Sequence, residues 1–315
     1  MSTPNDETLA NTADRPPRVL ITVVSSGESP FLDIEREAQL ETWAINTHSN
    51  VRTIWIEGDP SLAKRPRFKA LNWVMGLVLR NIYGPTFHLS LQGGRMRLRV
   101  NVKSFLDKFY DASAAKNRFS RALQTLMGEP EGSTPLADGR RVRLGVPNSY
   151  SLHQVRAIER YRYLGNIEFD YVLQTTSTCY VDIPALTEFV SRLPSNGVYA
   201  GPKMKFGCEF VPGNNILMSR DVFQRVLELR KNIRLDLPDD VGLGQLISDF
   251  KLASIMDMPT ENVSTGLRSI DDLGESWRSA YVFRCKAETR TLNSSPVIEL
   301  MHRLHKLVTA QSTQH

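Results

Sequence analysis

The stretch FDYVLQTTSTCYVD, residues 169–182, has the pattern of two short β-strands around a polar turn. Its aromatic and β-branched residues are typical of strands, and Thr175, Thr176, Ser177 and Thr178 lie between them. In open α/β sheets, ligands bind where parallel strands end, so hydroxyl side chains at that point favour a binding site. The alternative interpretation is a half-buried strand that leads into an ordinary Ser/Thr turn.

The chain on the N-terminal side of this stretch predicts a parallel sheet. The aliphatic run RVLITVVS, residues 18–25, ends in Ser-Ser-Gly, as a buried parallel strand entering a loop does. A helix is predicted over Glu35–Trp43 and a second strand over Val51–Glu57. This strand–helix–strand order predicts an α/β fold, with a mainly parallel central sheet flanked by helices.

The same alternation continues along the chain. Further helices are predicted over these stretches: Phe68–Tyr83, Leu152–Tyr163, Ile183–Leu193 (capped by Asp182), Ser219–Arg230 (capped by Ser219), Leu237–Phe250 and Pro296–Val308. Short strands are predicted at Val198–Gly201, Ile216–Met218, Leu252–Met256 and Tyr281–Lys286. In the first of these helices, the predicted apolar stripe consists of Ala70, Trp73, Val74, Leu77 and Val78.

These elements predict one domain. Residues 1–17 are polar and end in two prolines, which indicates a disordered N-terminal tail. The domain covers residues 18–308, with a basic segment at 93–144 as its least certain part, and residues 309–315 are expected to form a flexible C-terminal tail.

Composition restricts the class of protein. A net charge of +5 is a mild bias towards anionic ligands, nucleotides, nucleic acid or membrane surfaces, without choosing among them. Cys179, Cys208 and Cys285 fit no zinc or disulfide spacing, which favours a reducing compartment. We find no apolar run as long as a membrane span and no signal peptide, so a cytoplasmic location is expected.

Arginines are concentrated in the basic segment: Arg95, Arg97, Arg99, Arg118, Arg121, Arg140, Arg141 and Arg143. We interpret them as a solvated basic face, with an acceptor-contact or membrane-contact patch as the alternative. Aromatic residues are not interleaved with them, which argues against a nucleic-acid-binding platform. His302 and His305 have a spacing that could ligate a metal, but no third ligand sits at a fitting distance, so we interpret them as surface histidines.

Five segments together resemble the β-1,3-galactosyltransferase and fringe group of glycosyltransferases, and their bacterial and viral relatives. They occur in the order found in that group: RVLITVVS with REAQLETW (residues 18–25 and 36–43), PNSYSLHQVRAI (147–158), FDYVLQTTSTCYVD (169–182), PGNNILMSRDVF (212–223) and LPDDVGLGQLI (237–247). The resemblance is loose through residues 93–144.

The resemblance implies a GT-A fold and inverting transfer from a nucleotide-sugar, with UDP-sugars the expected donors. In that chemistry a carboxylate takes the proton of the acceptor hydroxyl. By resemblance this role falls on Asp240, with Asp239 as its neighbour. The alternative is that both residues only cap a helix and satisfy its free N–H groups.

The chain departs from the family at the metal motif, because Thr176, Ser177 and Thr178 stand where the family has acidic residues. Hydroxyls cannot supply the charge that a hard divalent cation needs, so we expect no metal cofactor. A metal-free enzyme must neutralise the leaving diphosphate with cationic side chains or N–H groups. The expected donor contacts are Ser25, Ser26, Arg36, Arg156, Thr176, Ser177, Thr178, Arg284 and Lys286, with Lys205 as a further candidate. The expected acceptor contacts are Gly213, Asn214 and Asn215.

Resemblance and location suggest a hexosyltransferase of surface polysaccharide or lipopolysaccharide synthesis, with peripheral membrane contact through the basic residues. Three alternatives remain open. One is a degenerate transferase that acts as a binding or scaffold protein, and another is a basic nucleic-acid-binding protein. The third is a different nucleotide-binding enzyme, such as a phosphotransferase, against which the lack of a glycine-rich phosphate loop after the first strand argues.

Overall fold

The computed structural model describes residues 15–45, 48–83, 122, 125, 131–206, 208–258, 260–264, 280–286 and 293–312. The strands are β1 (Val19–Val24), β2 (Val51–Gly58), β3 (Glu131–Pro135), β4 (Arg141–Gly145), β5 (Tyr171–Thr176), β6 (Cys179–Val181), β7 (Tyr199–Ala200), β8 (Met204–Phe206), β9 (Cys208–Phe210), β10 (Asn215–Ser219), β11 (Ile255–Met256), β12 (Thr260–Ser264) and β13 (Val282–Lys286). The helices are α1 (Phe31–Ile34), which continues as a π-helical segment (Glu35–Gln39), α2 (Pro66–Tyr83), α3 (His153–Leu164), α4 (Ile183–Ser191), α5 (Arg220–Leu229), α6 (Asp239–Asp249) and α7 (Ser295–Ser312).

A central sheet has the strand order β11-β7-β10-β5-β1-β2-β4-β3. Strand β1 pairs parallel to both β2 and β5, and β4 pairs parallel to β2. Strand β10 runs antiparallel to β5, so its first residues lie where β1 and β5 end. The prediction of an α/β fold with a mainly parallel central sheet is confirmed. Two smaller sheets, β12-β13-β6 and β8-β9, complete the described strands.

Two apolar layers cover the central sheet. On one face, the buried residues of β1, α4, α7 and the β12-β13-β6 sheet form one hydrophobic cluster. On the other face, α2, α3, α5 and α6 pack over β1, β2 and β5 in a second cluster. Among the described helices, none is both long and apolar enough to cross a membrane.

Most predicted elements are present, and their differences lie at the ends. The helix predicted over Glu35–Trp43 begins four residues earlier, at Phe31, and becomes a π-helix that ends at Gln39. The terminal helix continues to Ser312, beyond the predicted end at Val308. Asp182 caps α4 as predicted, because its carboxylate accepts the Ala185 N–H at 3.1 Å.

The apolar stripe predicted for α2 is wrong for two of its members. Ala70 is exposed and Trp73 is 54% exposed, whereas Phe68, Leu71 and Met75 are the buried residues. Both sets satisfy helical spacing, so periodicity alone did not distinguish the buried side of the helix from its neighbour.

The interpretation as a solvated basic face is wrong for Arg141, which is buried on the inner strand β4 and pairs with the buried carboxylate of Glu35. Arg143 lies on the same strand and pairs with Glu57, but its side chain stays partly exposed. Arg95, Arg97, Arg99, Arg118 and Arg121 lie outside the described residues. His305 is also more than a surface residue, because its Nδ1 hydrogen-bonds the Tyr180 hydroxyl at 3.0 Å.

A substitution of Gly58, the last residue of β2, would test how closely the loop before α3 packs against this sheet. A Cβ at Gly58 would lie 2.6 Å from the backbone nitrogen of Asn148 and 2.7 Å from its Cα. We expect Gly58→Ala to lower the free energy of unfolding by about 1–3 kcal/mol, because a backbone neighbour cannot move aside. Urea denaturation measures the change. Gly132→Ala is the matched control, since nothing lies within 4 Å of a Cβ there; equal stability of the two variants would contradict the prediction.

Candidate functional site

One edge of the central sheet brings several of the predicted site residues together. Ser25 and Ser26 follow β1, and Thr176 ends the neighbouring strand β5. Asn215 starts β10 and pairs with Thr175. The edge therefore combines the ends of two parallel strands with the start of an antiparallel one, which is the place where α/β sheets bind ligands.

Ser177 points away from this edge into the protein. Its hydroxyl donates to Oε1 of Glu35 at 2.5 Å, and Arg141 donates to the other carboxylate oxygen at 3.0 Å. Ser25 also hydrogen-bonds Glu35, and burial is the largest cause of the raised pKa of that carboxyl, which the bonds from Ser177, Ser25 and Arg141 oppose. In this structure the Ser177 hydroxyl makes a structural contact, and its predicted contact with a donor stays a prediction.

Gln39 holds the backbone of the same turn. Its side-chain nitrogen donates at 3.2, 3.1 and 3.1 Å to the carbonyl oxygens of Thr176, Ser177 and Cys179. Its side-chain oxygen accepts the indole N–H of Trp55 at 2.9 Å. The indole therefore sets which end of the amide faces the turn, and the two hydrogens of the amide nitrogen are shared among three backbone acceptors.

Thr176 and Thr178 remain half-buried, with hydroxyl oxygens 3.3 Å apart. The Thr178 carbonyl accepts the N–H of Cys285 at 2.8 Å. Cys285 is buried and lies between Arg284 and Lys286 on β13, whose side chains are exposed. The structure therefore brings the predicted cations of β13 beside the predicted hydroxyls of the turn.

A cavity of about 240 Å³ opens next to these residues. Among the residues that line it are Asn214, Arg284 and Lys286, and the others are Pro202, Met204, Pro212, Thr260, Glu261, Asn262 and Val282. Asn215 is fully buried behind the edge, and neither polar atom of its amide has a partner in the described part of the chain. One predicted acceptor contact, Asn214, and two predicted donor contacts, Arg284 and Lys286, thus share one cavity. Asn215, Thr176, Thr178 and Asp240 are not among the residues that line it.

Asp240 sits at the start of α6, against the turn that leads into β10. Its Oδ2 accepts the Gly213 N–H at 3.0 Å and its Oδ1 accepts the Val241 N–H at 2.8 Å. Burial raises the pKa of Asp240, as does the charge of Asp239, and the two N–H bonds and His153 oppose the rise. A raised pKa suits a carboxylate that must take up a proton, whereas a helix cap alone favours the charged form.

The carbonyl group of Gly213 is also held, by buried side chains that were not among the predicted site residues. Gln174 donates to the Gly213 carbonyl at 2.8 Å and accepts from Arg160 Nη2 at 2.6 Å. The same Arg160 nitrogen lies 4.0 Å from Asp239 Oδ2. A continuous chain of contacts therefore runs from α3 through β5 to Asp240.

Arg156 lies on the α3 side of the site and is half-buried. Its guanidinium donates to the side chain of Asn148, whose amide in turn donates to the Ser26 carbonyl. Burial lowers the pKa of Arg156 to about 10; the charge of Asp239 opposes this and that of Arg160 adds to it. Arg156 remains a cation at neutral pH and is tied to the loop after β1.

Two other predicted cations lie further out. Arg36 is exposed on the π-helical segment. Lys205 is exposed on β8, in the β8-β9 hairpin outside the central sheet. Neither has a contact with the turn or with Asp240 among the described interactions.

The turn at the end of β5 does not have the ligands of a divalent metal. The Thr176 and Thr178 hydroxyls are neutral, and that of Ser177 is turned inward to Glu35. A hard cation such as Mg²⁺ takes charged oxygen ligands. Within the described ranges, no group of three or more His, Cys, Asp or Glu side chains could hold a metal ion.

Sequence reasoning did not single out Glu35, Gln39, Arg160 or Gln174. The first two carried one usable signal: they are four residues apart and adjacent to the apolar positions Ile34 and Ala38, where polar residues are unexpected. Their partners lie far away in the sequence, since Ser177 is 142 positions from Glu35.

Comparisons with known proteins give only weak likenesses, all to solved structures. No protein-family model matches the chain, and no curated protein matches its sequence. Among solved structures, the chain is similar to a glycosyltransferase involved in the glycosylation of the major capsid of PBCV-1. The identity is 12% over 91% of this chain and 100% of that one, with a TM-score of 0.38. A likeness at this level says nothing about function, which the geometry of the site must indicate by itself.

A substitution of Trp55 would test whether its indole holds the Gln39 amide in place. We expect Trp55→Phe to lower the free energy of unfolding by at least about 1–3 kcal/mol, because the buried Gln39 oxygen loses its donor. Trp73→Phe is the matched control on an exposed indole and should stay within about 0.5 kcal/mol of the parent chain. Urea denaturation compares them, and a Trp55→Phe variant as stable as the control would exclude this role.

The pKa of Asp240 predicts how stability depends on pH. Its folded-state pKa lies above the ordinary value of 3.8, so its stabilising contribution is full below that value and is lost as pH rises through the folded pKa. Asparagine does not titrate. The parent chain should therefore lose stability relative to Asp240→Asn as pH rises from 3.8 towards neutrality. Urea unfolding of both proteins across this range measures the difference, and the opposite trend would identify Asp240 as a charged helix cap.

Proposed function

We propose that this protein is an inverting glycosyltransferase, which moves a hexose from a nucleotide-sugar to a hydroxyl of a glycan or lipid-linked acceptor. The observation that carries the proposal is the position of Asp240. It is a half-buried carboxylate with a raised pKa, held by Gly213. The adjacent residue Asn214 lines a cavity with Arg284 and Lys286.

The proposed reaction needs a base and a site for the leaving group. Asp240 removes the proton of the acceptor hydroxyl as its oxygen bonds to the anomeric carbon of the donor. The bond from that carbon to the phosphate oxygen breaks, and the electron pair leaves with the nucleoside diphosphate. Attack from the opposite side inverts the anomeric centre. A carboxylate whose pKa lies above its ordinary value is a stronger base, which suits this step at neutral pH.

The leaving diphosphate is anionic, and we propose that protein cations neutralise it without a divalent metal. Arg284 and Lys286 are exposed beside the turn that contains Thr176 and Thr178. Arg156 contributes a further charge from the α3 side. Charge-assisted hydrogen bonds to phosphate oxygens supply the stabilisation that a cation would otherwise give.

The finer assignment follows the sequence resemblance. We propose a GT-A type enzyme related to the β-1,3-galactosyltransferase and fringe group, with a UDP-sugar as donor. Surface polysaccharide or lipopolysaccharide synthesis is the proposed pathway. The proposed location is the cytoplasm, at the inner face of the membrane, with peripheral contact through basic residues.

A nucleotide-sugar screen in EDTA tests this function. A donor that binds the folded chain should raise its melting temperature. Transfer or hydrolysis of that donor should persist in EDTA, and Asp240→Asn should lower kcat ~10²–10⁴-fold while binding is retained. Asp249→Asn, at the other end of α6, is the matched control and should keep full activity.

The outcomes separate the alternatives. Full activity of Asp240→Asn would show that Asp240 is not the catalytic base. Donor binding by the parent chain without any turnover would identify a degenerate transferase that only binds, an alternative favoured by the hydroxyls at the metal position. Failure to bind any nucleotide-sugar would exclude the proposed function.

A further inference from the structure

The strand-end turn, which we define as Thr176–Thr178, is fixed by several buried polar contacts. Glu35 and Gln39 have no solvent exposure, and both point their polar atoms at the turn or its supports. Burial of polar side chains is unfavourable unless they are hydrogen-bonded. Such an arrangement exceeds what a connection between two short strands requires.

The π-helical segment explains how one short helix supplies both residues. The Leu40 N–H donates to the Glu35 carbonyl at 3.0 Å, and the Ala44 N–H donates to that of Gln39 at 2.9 Å. Both bonds span five residues, so the turn of helix is wider than an α-helical one. Both side chains thereby reach the end of β5. Single π-helical turns are common at functional sites.

Glu35 and Gln39 are each held in their orientation by a further buried side chain. Arg141, from β4, donates to Glu35, and Trp55, from β2, donates to Gln39. Two strands and the π-helical segment therefore determine the conformation of a three-residue turn. Because these partners are themselves buried, the turn is held in one conformation before any ligand arrives.

Glu35 and Gln39 engage only some of the polar groups of the turn. The carbonyls of Thr176 and Ser177 accept from Gln39, and the Ser177 hydroxyl donates to Glu35. The half-buried hydroxyls of Thr176 and Thr178 are not used by these contacts. Through Cys285, Thr178 also holds β13, and with it two exposed cations, beside the turn.

We propose that the strand-end turn is a preformed diphosphate site and that Glu35 and Gln39 are its positioning residues. The diphosphate contacts the hydroxyls of Thr176 and Thr178 and the cations Arg284 and Lys286. Glu35 and Gln39 do not touch it. Donors held in advance stabilise charge without reorganisation when the ligand binds. The proposal rests on the proposed function for the identity of the diphosphate as part of a donor.

Inorganic pyrophosphate is the probe, because it needs no knowledge of the base or sugar. We would titrate it in EDTA by isothermal titration calorimetry into the full chain and into Gln39→Met and Ser177→Ala. Gln245→Met and Ser191→Ala are the matched controls, since both residues make only local helix contacts. Gln39→Met should weaken the Kd roughly 10-fold or more, Ser177→Ala by a smaller factor, and the controls less than twofold.

Melting temperatures of the variants separate positioning from stability. If Gln39→Met does not fold, Ser177→Ala, which removes a single hydroxyl, still provides the test. Variants that melt earlier but bind pyrophosphate as tightly as the parent chain would overturn the proposal, because the two residues would then be structural only. The absence of pyrophosphate binding by the parent chain would also overturn it.

Failure of the diphosphate-site proposal can be distinguished from failure of the proposed glycosyltransferase function. If the chain transfers sugar in EDTA while Gln39→Met and Ser177→Ala leave KM and kcat unchanged, the function holds and the positioning role is wrong. If pyrophosphate binding depends on both residues but no nucleotide-sugar is used, the diphosphate site holds and the glycosyltransferase proposal is wrong.

Discussion

The carboxylate of Glu35 is the contact on which this structure depends, because it is fully buried and joins three separate parts of the chain. An unpaired carboxylate in such a place would be strongly unfavourable. Arg141 supplies the opposite charge from β4 and Ser177 a hydroxyl from the end of β5. The helix after β1, an inner strand and the turn at the sheet edge therefore hold one another in position.

The candidate site has two halves with different supports. On one side, Glu35 and Gln39 hold the turn that presents Thr176 and Thr178. On the other side, Gln174 and Gly213 link α3 to Asp240. The halves meet because β1 and β5 end at the edge where antiparallel β10 begins. The proposed transfer requires a base and a leaving-group site at a fixed separation, and this topology would hold the two proposed groups on one scaffold.

Local features of the sequence predicted most of the fold. The aliphatic run before Ser25 predicted a buried parallel strand, and the position of Asp182 predicted the start of a helix, because both signals arise within a few residues. Local signals did not decide which side of a helix is buried where two sides fit the apolar spacing equally well. In α2, helical periodicity was compatible with burial of Trp73, yet the chain buries Phe68 and Leu71 instead.

The sequence alone determined the strand–helix alternation, the place of Asp239 and Asp240 at the start of a helix, and the hydroxyls at the end of β5. Only the tertiary structure decided that Ser177 faces inward and that Arg141 is buried rather than solvated. The physical reason is that the burial of a polar group depends on its partners, and these partners are distant in sequence. Arg141 lies 106 positions from Glu35, and Gln39 lies 138 from Ser177, so local patterns contain no record of either contact.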